Sequence, residues 1–197
     1  VKDLGLSIGY DAAWIDFIEF PVQQRTTANA GTDARICSGN SFQPDAIATN
    51  YLTLKWSTSG SGFFNDPGII NTKYFPSPSD IEAGSVQLIM TLTGYSYGEI
   101  VMDTLVLTFA PKPVLYAGPD TYTCTGEVFT TSATATNYFT VNWITQGDGI
   151  FSNPDSILTV YTPGPEDIYK KKTRLIVNIK GEDVCARVYD TLLLNNM

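Results

Sequence analysis

Three cysteines, a set of regularly placed carboxylates and a few unrepeated aromatics are the residues of this sequence whose types could do chemistry. The chain has no histidine, which removes the commonest general base, the Ser-His-Asp and Cys-His nucleophilic systems, and nearly all zinc and haem sites. Carboxylate pairs could support glycoside hydrolysis, and the acids that stand out are Asp33 and Asp120, Asp80 and Asp167, and Asp16, Asp103 and Asp190. They fall near predicted strand ends and turns, where an Asp carboxylate bonds local backbone N–H groups, so they read as structural caps. Asp33 and Asp120 are also the candidate calcium ligands, because that cation takes hard oxygen donors, although no dense Asp-x-Asp-x-Asp run accompanies them. Gly60-Ser61-Gly62 and Gly147-Asp148-Gly149 sit in predicted strand-to-strand turns with no helix after them, and read as hairpin glycines.

The aromatics divide in two. Trp56 and Trp143 lie on alternating apolar stretches and are expected in the core, which outweighs sugar stacking. Trp14, Tyr95, Tyr97 and Tyr169 have no aromatic counterparts elsewhere in the repeat described below and are the candidate contact surface. Lys170-Lys171-Lys172 reads as a solvated basic loop.

What must position these residues is a duplicated unit. Cys37 and Gly39 recur 87 positions on as Cys124 and Gly126, and the spacing then holds without a gap through Ala48-Thr49-Asn50-Tyr51, Trp56, Gly60, Gly62, Phe64, Tyr74, Pro76, Pro78, Asp80 and Ile81. Roughly thirty identities on one diagonal establish a duplication. Laid backwards, the same spacing sets Asp16-Phe17-Ile18 against Asp103-Thr104-Leu105. Residues 1–26 are therefore expected to be the last strands of a preceding copy, followed by copies at 27–111 and 112–197. Within a copy, Val86, Leu88, Met90 and Leu92 recur at every second position, the period of half-buried strands, and no helical periodicity is evident. Short strands punctuated by Gly, Asn, Asp and Pro turns predict an all-β Greek-key sandwich for each copy. Ala110-Pro111-Lys112-Pro113 is a stiff connector that favours a rod.

Composition narrows the partners. Twelve Lys and Arg against 20 Asp and Glu give a net charge of −8, which opposes binding to nucleic acid or anionic membranes. No stretch approaches the apolar length needed to cross a bilayer. Val1 at the start, with no signal-peptide pattern after it, suggests a piece of a longer exported chain.

Gly60-Ser61-Gly62-Phe63-Phe64-Asn65-Asp66-Pro67, the run Tyr74 to Gly84, and their echo from Gly147 to Ile168 resemble the PKD-like or immunoglobulin-like repeats of large Bacteroidota cell-surface proteins of the gliding-motility adhesin type. The resemblance implies tandem immunoglobulin-like sandwiches, export to the cell surface, and a non-catalytic role as stalk or adhesin, with no cofactor. Neighbouring repeats, surface glycans and other surface proteins are the partners it suggests. A carbohydrate-binding or accessory module of a secreted enzyme is the rival reading.

The cysteines are expected to report the compartment. Cys185 falls opposite Gly98, so only the second copy carries two. A Cys124–Cys185 disulfide with a free Cys37 is the expectation, closing a loop of about 60 residues that contributes roughly 4 kcal/mol. The alternative is three thiols in a reducing compartment.

Overall fold

The computed structural model describes residues 24–197. The expected tail of a preceding copy, with Asp16 and Trp14, lies outside the described residues except for Gln24, Arg25 and Thr26. In the first copy the order is β1 (Thr27–Asn29), β2 (Ala34–Cys37), β3 (Ile47–Thr49), β4 (Tyr51–Thr58), β5 (Phe63–Phe64), β6 (Tyr74–Phe75), helix α1 (Pro78–Ala83), β7 (Ser85–Gly94) and β8 (Ile100–Ala110). The second has β9 (Val114–Tyr116), β10 (Thr121–Thr123), β11 (Phe129–Thr130), β12 (Thr134–Thr136), β13 (Thr140–Thr145), β14 (Ile150–Phe151), β15 (Val160–Thr162), α2 (Pro165–Lys170), β16 (Lys172–Lys180) and β17 (Val188–Asn196).

Each copy is built on one four-stranded sheet, ordered β2-β8-β7-β4 in the first and β10-β17-β16-β13 in the second. The long hairpins β7–β8 and β16–β17 are antiparallel, and β2 and β10 add to them in parallel. Alternation along β7 turns Val86, Leu88, Met90 and Leu92 inward, where Leu105 and Leu107 of β8 and Trp56 of β4 meet them. Short strand pairs supply the other side of the core, contributing Ala28, Ala48, Phe64 and Tyr74. The second copy repeats the arrangement with Trp143, Leu175, Val177, Ile179, Leu192 and Leu194 around Tyr161. Trp56 and Trp143 are both 2% exposed, each against a phenylalanine ring with centroids 5.5 Å apart, so they serve packing and offer no face to a sugar.

Two helices depart from the all-strand expectation. At six residues each, α1 and α2 are too short to show a 3.6-residue period, but their ends are written in the sequence. Ser77 caps α1 and accepts from the Asp80 N–H while Asp80 bonds back to the Ser77 N–H, with Pro78 at the first position: a capping box. Gly84 ends α1 at φ 80°, and its counterpart Lys171 ends α2 at φ 57° without glycine's freedom.

Candidate functional site

Each of the repeated acids among the described residues accepts at least one hydrogen bond from a backbone N–H of its own copy. Asp80 accepts hydrogen bonds from the Tyr74 hydroxyl at 2.6 Å and from the N–H groups of Ser61, Gly62 and Ser77. Burial pushes its pKa up, but these four donors outweigh burial and hold it below the usual carboxylate range. Burial and, after it, the hydrogen bond to the Asp80 carboxylate push Tyr74 up to about 12. Asp167 and Tyr161 repeat the lock, with Tyr161 also at about 12.

The cap is exchanged between copies. Where Ser77 caps α1 locally, Gly164 leaves α2 without a side-chain cap, and Asp148 reaches across from the β13–β14 turn to accept from the Glu166 and Asp167 N–H groups at 3.1 Å. A Cβ on Gly164 would lie 2.3 Å from the Asp148 carboxylate, so glycine there is what admits the substitute cap.

Asp33 and Asp120 each accept a backbone N–H at 2.8 Å, from Val106 and Leu193. Asp103 and Asp190 do the same for Ala30 and Ala117. Among the described residues no three potential ligands gather to hold a metal ion, and the calcium candidates are strand-edge caps. Tyr95, Tyr97 and Tyr169 are exposed and lie apart: the first two on the β7–β8 turn, the third on α2.

The contact that joins the copies corrects the cysteine expectation. Cys185 is bonded to Cys37 of the first copy, with Cα atoms 4.9 Å apart, and Cys124 is a free, exposed thiol. Strand direction is the reason. The nine residues of β17 extend about 30 Å; Cys185 precedes its start, whereas Thr123, next to Cys124, pairs with Asn196 at its end. A disulfide needs Cα atoms within about 7 Å. Cys37, by contrast, pairs with Ala110 at the end of β8, where the connector leaves the first copy, and the β16–β17 turn comes back to that connector.

Around the disulfide the two copies interlock. Cys37, Ala110 and Cys185 form one small buried cluster. Arg35 makes a two-pronged ion pair with Glu182, at 2.6 and 2.7 Å, which holds the Glu182 carboxyl below its ordinary range. Gly181 lets the turn approach the connector, since a Cβ there would lie 2.6 Å from the Pro113 ring. Neither Arg35 nor Glu182 is prominent in the sequence. Their signal is the repeat itself: the counterparts of Arg35 and Glu182 are Tyr122 and Tyr95, so the charges occur only where copy meets copy.

No family model and no curated protein matches this sequence. Among solved structures, the extracellular domains 3–5 of Drosophila OTK are similar over 88% of this chain and 62% of theirs, at 10% identity and a TM-score of 0.50. Sidekick-1 immunoglobulin domains 1–5 match over 88% of this chain and 40% of theirs, at 16% identity and a TM-score of 0.43. The chain thus spans less than two thirds of either structure. The fold is a tandem of immunoglobulin-like β-sandwiches.

Proposed function

We propose that residues 27–111 and 112–197 are consecutive immunoglobulin-like repeats of a non-catalytic, extracellular surface array that acts as a stalk or adhesin. The observation that carries this reading is the Cys37–Cys185 bond between the copies. The bonded cysteines sit in a cluster apart from either core and fix one sandwich on the next, which is what a spacer requires. It also belongs to an oxidising compartment, in keeping with export. Among the described residues no helix is long and apolar enough to cross a membrane. The resemblance of its sequence landmarks to PKD-like repeats supports reading the parent as one of the large Bacteroidota surface proteins of the gliding-motility adhesin type.

Small-angle scattering of the oxidised protein tests the reading. An elongated particle, which becomes more flexible once Cys185 is replaced, is the expected result. A compact, side-by-side pair would overturn the stalk reading, and a glycan array showing specific binding lost with Tyr95 and Tyr97 would favour a carbohydrate-binding module.

A further inference from the structure

The chain contains one completed junction but carries half of that junction twice. The completed one is made from the end of β2, bearing Arg35 and Cys37, and from the turn bearing Glu182 and Cys185. At the far end of the second copy, the end of β10 rebuilds the first of these halves on the same backbone. Ser38 donates its N–H to the Ala110 carbonyl at 2.9 Å, and Thr125 donates to Met197 at 2.8 Å; Asn40 donates to Cys37 at 3.1 Å, and Glu127 to Cys124 at 3.0 Å. Each pair of contacts is related by the repeat spacing, so Cys124 stands where Cys37 stands, beside the residue at which its copy ends. The difference is the cover. Cys37 is 6% exposed beneath the Cys185 turn, whereas Cys124 is open.

Resting on the array reading, we infer that Cys124 forms a second inter-copy disulfide with a further copy of this repeat, through a cysteine at the position Cys185 holds in this one. The occupant is the β16–β17-type turn of that copy, because this is the element seated on the equivalent face within the chain. Tyr122 replaces Arg35 there, so an aromatic contact takes the place of the ion pair. The opposite face of the first copy, with Gly98 opposite Cys185 and exposed Tyr95 and Tyr97, meets its neighbour without a cross-link.

Bond formation needs a small-molecule disulfide as oxidant. The Cys124 thiolate attacks it, forming a mixed disulfide and releasing one thiol; the partner cysteine's thiolate then attacks the Cys124 sulfur and releases the second. Two protein thiols are oxidised and one small disulfide is reduced to two thiols. A tether this short sets an effective concentration in the millimolar range, so at micromolar protein pairing within the chain outruns dimerisation by about a hundredfold or more.

The test extends the full chain with its own sequence. Met197 holds the position of Ala110, so residues 111–197 appended directly after it continue the repeat in register. After oxidation with glutathione disulfide, non-reducing peptide mapping should join Cys124 to the Cys185 of the appended copy and leave a single alkylatable thiol, the appended copy's own Cys124. With Cys185→Gly in the appended copy, Cys124 should return to its unextended alkylation rate. Cys124 left alkylatable beside an appended copy that unfolds cooperatively would overturn the second cross-link and leave the array reading standing, which scattering tests separately. Mapping of the native protein, recovered unreduced, does not depend on how the extended chain folds. A Cys124 peptide bonded to a turn peptide of another repeat supports the inference, and Cys124 recovered as a free thiol overturns it.

Discussion

Replacing Cys185 with serine removes the bond between the copies, and the structure fixes both the size and the distribution of the loss. Cys37 lies beside Ala110, and the Cys185 turn lies on Pro113, so whichever copy unfolds first is held at both ends by the one still folded. The closed loop is then about 75 residues for whichever copy goes first, about half the 148-residue separation, and the chain-entropy model gives about 4 kcal/mol for that copy; unfolding the second only doubles the loop, which adds less than about 1 kcal/mol. For a domain of this size that lowers Tm by on the order of 20 °C. Scanning calorimetry of the oxidised wild type, Cys185→Ser and Cys124→Ser should show the earlier transition falling by that amount in the first variant, the later one by only a few degrees, and neither moving in the second. A loss confined to the second copy, reproduced by Cys124→Ser, would mean that the bond lies within that copy and would refute the reasoning.

Three further outcomes follow from the local structure. Lys171→Gly should stabilise the second copy by about 1 kcal/mol, because it relieves a left-handed residue whose counterpart is already Gly84; denaturant midpoints report it, and Gly84→Lys should destabilise the first copy similarly. Tyr74→Phe and Tyr161→Phe should each cost about 2 kcal/mol in their own copy, since each removes a hydrogen bond to a buried carboxylate, which chemical unfolding at neutral pH would measure. The same tyrosines fix the alkaline limit. Their folded pKa is raised to about 12, so the stability they contribute is complete below their unfolded value near 10 and is lost as pH rises towards 12; unfolding followed across that window should lose this dependence in the double Phe variant. The carboxylates act oppositely, their stability being present above the unfolded aspartate value near 4 and lost as pH falls below it.

Much of this architecture was legible because it is written twice. The 87-residue spacing aligns Trp56 with Trp143 and Leu88 with Leu175, and those residues fill equivalent places in two cores. The helices were missed because six residues cannot display a helical period, although Ser77-Pro78 and Asp80 together carried a capping signal. The cysteine pairing was misread for a different reason. Counting cysteines by copy puts Cys124 and Cys185 together; following strand direction puts them at opposite ends of β17 and brings Cys185 to the connector, where Cys37 ends β2. Arg35 and Glu182 stand out only when the copies are compared, as charges whose counterparts are Tyr122 and Tyr95, because the two sides of a junction come from non-equivalent positions of the repeat.

Non-reducing peptide mapping of residues 1–197, oxidised and alkylated under denaturing conditions, tests the junction most directly. A Cys37–Cys185 cross-linked peptide with Cys124 recovered as the alkylated thiol is the predicted result. A Cys124–Cys185 peptide, or three alkylated cysteines, would contradict it.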